Sequence, residues 1–424
     1  HEVTLKSPAK IETSDNAVGI YSNSKDVTLE LGSTLNIGKD KAVGIYTAGS
    51  GQNIKLLGDI SIGDSGYGLI NNNKQANNTI VSSATLTRDL GTDTVFIYSK
   101  DKSGSVTNYT NLKATGDENY GIYGAGKIDN YGNIDFKAGK ANVGIYSTSS
   151  DRTKVATNHQ GVTIEVGASV YDKMKPKEAK YAIGMAGGYT PARDDKNEDG
   201  SAKTPFTGHI VNEGTIKVTG EHSIGMFATE EHSTLENRGD IILSASNTTG
   251  IYLDNKAVGH NYGKIISEGE GLENLVGIVV KNGATIENHP GSEIRLSAKN
   301  SKGIYVAGAG NKKGIIKNYG DFVISADRKE ASFAGAKISV QGEGSSVFAE
   351  NKSQLDKEVG GVKIDQKGIY DKRLPQEKPI KKPNLVTVDP KTIERLEKEN
   401  IVDPSATAKT VSSFGMYIDT SNIN

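Results

Sequence analysis

The run Asp195-Lys196-Asn197-Glu198-Asp199-Gly200 sets oxygen donors at alternate positions ahead of a glycine, which is how a calcium-binding loop begins. The twelfth position of such a loop is Phe206 here, where a bidentate Glu is required, and the flanks do not read as helices. Asp195, Asn197 and Asp199 are thus candidate Ca2+ ligands, set against the plainer reading of an acidic surface loop. Other chemistry is scarce. The chain has no Cys, which excludes thiol nucleophiles and thiolate metal sites. Its seven histidines are His1, His159, His209, His222, His232, His260 and His289, and no zinc spacing occurs among them. Asp135, Asp240 and Asp321 are the carboxylates that a polysaccharide lyase or glycosidase would have to gather on one face. They are spread along the chain, and Thr215 and Lys264 stand at equivalent places. No phosphate-cradling loop and no Gly-x-Ser-x-Gly elbow is present. No catalytic residue is assigned, and Ca2+ is the one candidate cofactor.

The elements that must position these groups are announced by two repeated boxes. The first is Val-Gly-Ile-Tyr, at 18–21, 43–46 and 143–146, with variants at 120–123, 183–185, 224–227, 249–252, 276–278, 302–305, 368–370 and 414–417. Gly19 to Gly44 is 25 residues, Gly225 to Gly250 is 25 and Gly277 to Gly303 is 26. The second is Ile-x-Asn-x-Gly-x-Ile, around Asn130, Asn212, Asn237, Asn261 and Asn318, with a related Asn at 288. Asn212 to Asn237 is 25 residues and Asn237 to Asn261 is 24, so both boxes keep one period. After each Asn-x-Gly comes strict alternation, as in Ile134-Asp135-Phe136 and Ile216-Lys217-Val218, the pattern of a strand with one buried face. Three short strands and three turns per repeat predict an all-β, parallel β-helix: a triangular solenoid of about 25 residues per coil, about 14 coils in all. Right-handed winding is expected because parallel crossovers overwhelmingly take that hand. One such segment is expected to span 1–424.

In that reading Ile20, Ile45, Ile122, Ile145, Ile251, Ile278 and Ile304 point inward as an apolar stack, with Met185, Met226 and Met416 at the same position. Tyr21, Tyr46, Tyr98, Tyr123, Tyr146, Tyr252, Tyr305, Tyr370 and Tyr417 form an aromatic ladder that lines a corner; the rival reading is an exposed row that stacks on sugars. Asn130, Asn212, Asn237, Asn261, Asn288 and Asn318 sit at one turn. Asn tolerates left-handed angles there, its amide can bond the equivalent amide one coil away, and the following Gly fits the tight turn. His159 and His289 follow this Asn and His260 precedes it, as turn variants.

Composition agrees. Gly is 50 of 424, aromatics are 6%, hydrophobic residues only 35%, and mean hydropathy is −0.46. A thin core needs little apolar mass, and frequent turns consume Gly and Asn. With 50 basic and 51 acidic residues the net charge of −1 argues against nucleic-acid or membrane-surface binding. No apolar run approaches the roughly 18 residues of a membrane span. The start at His1, with neither Met nor leader, suggests a piece of something longer.

Three gaps interrupt the period. The first insert covers about 168–181, with Tyr171, Lys173, Lys175, Lys177 and Lys180; its lysines read as a solvated loop or a contact for an anionic partner. The second, about 187–206, holds the acidic loop. The third, about 371–408, opens basic and Pro-rich and then predicts a short helix over about 390–400, with Asp389-Pro390 as cap and first turn. Between Gly303 and Gly368 the first box degrades to Ser332-Phe333 and Ser346-Val347-Phe348, so irregular coils are expected.

The Asn-Tyr-Gly and Val-Gly-Ile-Tyr boxes, outside the three inserts, resemble the passenger region of the large fusobacterial type V autotransporter adhesins. The resemblance implies a cell-surface location, outer-membrane anchoring through a C-terminal barrel beyond this segment, and binding to a host-cell receptor or glycan or to partner bacteria. It transfers no binding residue, because the boxes are scaffold. An adhesin segment is the leading expectation, a structural stalk for a distal tip the alternative, and a polysaccharide-active enzyme the third.

Overall fold

A computed structural model describes residues 1–175, 178–191, 196–299, 301–307 and 314, followed by the backbone of separate strands between 315 and 418. The chain is an all-β parallel solenoid of about 11 turns, about 26 residues each, with no helix in the described regular region. The larger expected coil count included residues beyond 307. The helix expected over about 390–400 and the insert at about 371–408 lie outside the described residues.

The chain divides into two compact units, His1–Gly132 with Pro375–Asn424, and Asn133–Leu374. Each coil contributes three strands. In the second unit one coil runs Thr215–Val218, Ile224–Ala228 and Thr234–Asn237, and the next runs Asp240–Leu243, Thr249–Leu253 and Val258–Asn261. Each strand pairs in parallel with its equivalent one coil on, as Ile216 with Ile241, Met226 with Ile251 and Asn237 with Asn261. The first unit repeats the scheme: Leu29 lies beside Ile54, Ile20 beside Ile45, and Leu35 beside Ile60.

Alternation shapes two of the three sheets. In Thr215–Val218, Ile216 and Val218 are buried and Thr215 and Lys217 face solvent in part. The Val-Gly-Ile-Tyr strands differ, with all five residues buried at Val18–Ser22, Val43–Thr47, Val143–Ser147 and Thr249–Leu253. The Ile column is fully enclosed: Ile20, Ile45, Ile122, Ile145, Ile251, Ile278 and Ile304 each show 0% exposure. At roughly 1.5–3 kcal/mol per side chain, such a column is a main source of cohesion between coils.

Pairing in this sheet skips the glycine, with Val18, Ile20, Tyr21 and Ser22 matched to Val43, Ile45, Tyr46 and Thr47. A Cβ on Gly144 would lie 2.6 Å from the Gly184 carbonyl oxygen, and one on Gly225 would lie 2.7 Å from that of Gly250. The box therefore needs Gly for close approach of successive backbones.

The Asn box requires a correction. Asn130, Asn212, Asn237, Asn261 and Asn288 end regular strands and are absent from the positive-φ residues, so no left-handed turn explains them. Nor do Gly132, Gly214, Gly239 and Gly263, each two residues after its Asn, have positive φ; Gly291, three residues after Asn288, does, at 86°. A Cβ would lie 1.9 Å from the Gly214 oxygen at Gly239 and 2.0 Å from the Gly239 oxygen at Gly263. Here too glycine is selected by stacking.

The irregular stretch beyond Gly303 resolves differently from its sequence pattern. Ser332-Phe333 belongs to Arg328–Phe333, which pairs antiparallel with Ala336–Val340. Ser346–Glu350 does join the box sheet, parallel to Lys302–Ala307. In the first unit Phe414–Ile418 lies parallel beside Val18–Ser22, matching Met416 to Ile20 and Tyr417 to Tyr21. Tyr370 lies outside the described residues.

Candidate functional site

The Asn ladder forces an outward column beside it. Asn108 Nδ2 donates to Asn130 Oδ1 at 2.9 Å in the first unit. In the second, Asn158 donates to Asn212 at 3.0 Å, Asn212 to Asn237 at 2.9 Å and Asn237 to Asn261 at 2.9 Å. A second Nδ2 proton goes to a carbonyl two residues on, Gly214 O at 3.2 Å from Asn212 and Gly239 O at 3.1 Å from Asn237. Each amide is thereby satisfied while buried. The ladder stops at Asn261, whose Nδ2 makes no hydrogen bond. Asn288 is 1% exposed, and Asn318 continues the column at backbone level beside it.

With the Asn side chain inward, the next residue points out at the corner. Its amide N–H is fixed to the preceding coil: Tyr109 N to Ser82 O, Tyr131 N to Asn108 O, Arg238 N to Asn212 O and Tyr262 N to Asn237 O, all 2.7 Å. The column reads Tyr109 and Tyr131 in the first unit, then His159, Glu213, Arg238, Tyr262 and His289 in the second. Tyr109 is 52% exposed and Tyr131 41%, and their rings stack at 5.1 Å and 11°. The coil spacing of roughly 4.8 Å makes rings in this column parallel neighbours. Tyr262 stacks on His289 at 3.9 Å and 11°, and the Arg238 guanidinium lies 4.2 Å from the Tyr262 centroid.

The box tyrosines are the opposite case. Tyr21, Tyr46, Tyr98, Tyr123, Tyr146, Tyr252 and Tyr305 are at most 3% exposed. The idea that this row stacks on sugars is therefore corrected: nothing external reaches it. Tyr21 and Tyr46 stack at 5.7 Å, and the Tyr146 hydroxyl donates to Gly188 O at 2.6 Å. Burial pushes the Tyr46 phenol up to about 12 and raises those of Tyr98 and Tyr146 as well.

Stacking also gathers residues that sequence spacing separates. His260 pairs in register with Glu287, and His260 Nδ1 lies 2.9 Å from His289 Nε2. Glu287 Oε1 is 3.9 Å from His289 Nδ1. Burial, then the nearby His289, holds the His260 pKa below its usual value, so that ring is neutral at neutral pH. The expectation that His260 and His289 are separate turn variants misses this cluster.

The acidic loop is a hairpin tip. Lys196 and Ala202 form an antiparallel bridge, and Gly200 has φ 80°. Asp199 Oδ1 accepts from the Ser201 hydroxyl at 2.6 Å and Ser201 N at 2.9 Å, which lowers the Asp199 pKa. Asn197 Nδ2 donates to Ser201 Oγ at 2.8 Å. Both residues are exposed, and Asp195 lies outside the described residues. In the first insert Val170 and Lys180 bridge antiparallel, and Tyr171 stacks on His222 at 4.1 Å.

The three candidate carboxylates do not converge. Asp135 aligns with Glu165, and Lys137 Nζ reaches both at 3.3 Å. Asp240 and Asp321 share a different column, with Lys264 and Glu293 between them.

Comparison with known families decides the relationship. Residues 2–264 match the model of the BigA third pectate lyase-like domain. The chain belongs to that family. Membership places it among bacterial surface domains of the passenger type, extracellular or on the cell surface, without marking a fusobacterial source. No curated protein and no solved structure matches the chain.

Tyr109 and Tyr131 were not singled out in the sequence as a site. The signal was the residue after each ladder Asn, and it was obscured because Asn108 is followed by Tyr109-Thr110 instead of x-Gly.

Proposed function

We propose that this chain is an adhesin segment of an autotransporter-type surface protein, and that the Tyr109–Tyr131 edge is its contact for a host-cell or partner-bacterium glycan. The observation that carries this is the exposed, parallel ring pair at 5.1 Å. Flat apolar sugar faces stack on such rings, while hydroxyls at the sugar edge stay hydrated. A rigid scaffold keeps the ordering cost of binding low. Binding is favoured over polysaccharide cleavage because Asp135 stands in a different column from Asp240 and Asp321.

Screening the chain against immobilised glycans and host cells tests this. Retained ligand is expected, with affinity falling about ten- to hundredfold in Tyr109→Ala/Tyr131→Ala, each tenfold being about 1.4 kcal/mol. Binding unaffected by the double substitution overturns the assignment of the edge. No retained glycan or cell surface overturns the adhesin reading in favour of a stalk.

A further inference from the structure

We propose that His260, Glu287 and His289 form a binding site for a divalent transition-metal ion of the zinc(II) class, with its remaining coordination positions open to water or an external ligand. This site stands independently of the adhesion reading.

The potential ligand atoms of the three residues lie within 4.8 Å of one another. Ligands at about 2.0–2.2 Å from a tetrahedral zinc ion are roughly 3.3–3.5 Å apart, so the two imidazoles need to part slightly and the carboxylate to swing inward. Glu287 has that freedom, its side chain being 28% exposed beside a His289 that is 19% exposed. Two uncharged imidazole nitrogens 2.9 Å apart hold at most one proton between them. Metal binding needs none there, with the protons on His260 Nε2 and His289 Nδ1. In that arrangement His289 Nε2 and His260 Nδ1, which already face one another, are the two ligand nitrogens, and Glu287, 3.9 Å from His289 Nδ1, is near enough to turn toward the ion.

The surroundings support the site. The Tyr262 ring, stacked at 3.9 Å, fixes the plane of His289, and Arg238 lies over the far side of that stack. The other carboxylate in register with His260 is Glu236, and it is engaged by Arg238. Glu287 is thus the carboxylate left to the cluster. Two nitrogens and one oxygen suit zinc, nickel or copper and not calcium or magnesium, which take oxygen ligands.

Calorimetric titration of the chain with ZnCl2 near pH 7.5 tests the proposal, with CaCl2 as the control. One strong equivalent of zinc is expected, and none in His260→Gln/His289→Gln, in which every other histidine is retained. Glu287→Gln, which keeps the shape of the side chain, should raise Kd about tenfold or more. Removing the supporting ring in Tyr262→Ala should do so about tenfold. Circular dichroism establishes that each variant is folded; if the double variant is not, the Glu287→Gln titration decides. Absence of a strong equivalent in the unaltered chain, its persistence in the folded double variant, or an unchanged Kd in Glu287→Gln overturns the site.

Discussion

Two columns of aromatic residues climb this solenoid, and they have opposite fates. One follows the Gly-Ile pair of the box strand and is sealed, as at Tyr46 and Tyr252. The other follows the ladder Asn and is open, as at Tyr109 and Tyr131. Both set tyrosines at matching places in successive coils, although His159, Glu213, Arg238 and His289 also stand in the open column. The box strand is buried at every position, so its ring can only fill space. The Asn strand alternates and turns its Asn inward, so the neighbouring ring must face out. Repetition alone thus does not separate scaffold from surface; the burial of the strand does.

Substitution in each column tests this contrast. The largest effect is expected inside: Ile251→Ala should cost ~2–5 kcal/mol in denaturant unfolding, because the cavity lies between coils on both sides. A cost below about 1 kcal/mol would mean that the box strand is not the core. Asn212→Leu should follow, at roughly 1–3 kcal/mol for each partner left unsatisfied at Asn158 and Asn237. Near-neutrality there would remove the ladder as the reason the adjacent column faces solvent. Gly225→Ala should cost ~1–3 kcal/mol through its clash with the Gly250 carbonyl, measured by the same unfolding curve.

A pH experiment sharpens the boundary between buried and open. His209 is 2% exposed, with Nδ1 2.8 Å from Thr234 Oγ1, and burial lowers its pKa. The unfolded imidazole takes a proton near pH 6.5 while the folded one resists. Its contribution is therefore full above that value and lost as pH falls through the lower folded pKa. The melting temperature should decline from pH 7 to 5, and His209→Asn should flatten the decline. An equal slope in both proteins would contradict burial of that ring. The smallest effect on stability belongs outside: Tyr109→Ala/Tyr131→Ala should change unfolding by under about 0.5 kcal/mol while reducing glycan capture. Loss of folding in that variant would make the open column scaffold as well.

Much of the fold was legible because period is a property of sequence. The Ile20, Ile45 and Ile122 stack follows from spacing and alternation, since a single coil cannot bury its own apolar face. The reason for each glycine was less legible. Gly239 looks like a turn residue, whereas its hydrogen faces a carbonyl of the coil beneath, a distance no local pattern contains. The direction of the box tyrosines was likewise hidden, because complete burial of a strand gives no alternation to read.

By itself the sequence determined that the chain stacks: two boxes on one period, each too short and too polar to fold alone, require coil upon coil. Only the tertiary structure decided what those coils bring together. His260 and Glu287 are 27 residues apart and His289 is 29 from His260, separations that match no linear motif. They meet because one coil returns the chain to within a strand spacing of its start, at about 4.8 Å. Register between coils, and not distance along the chain, sets which side chains become neighbours.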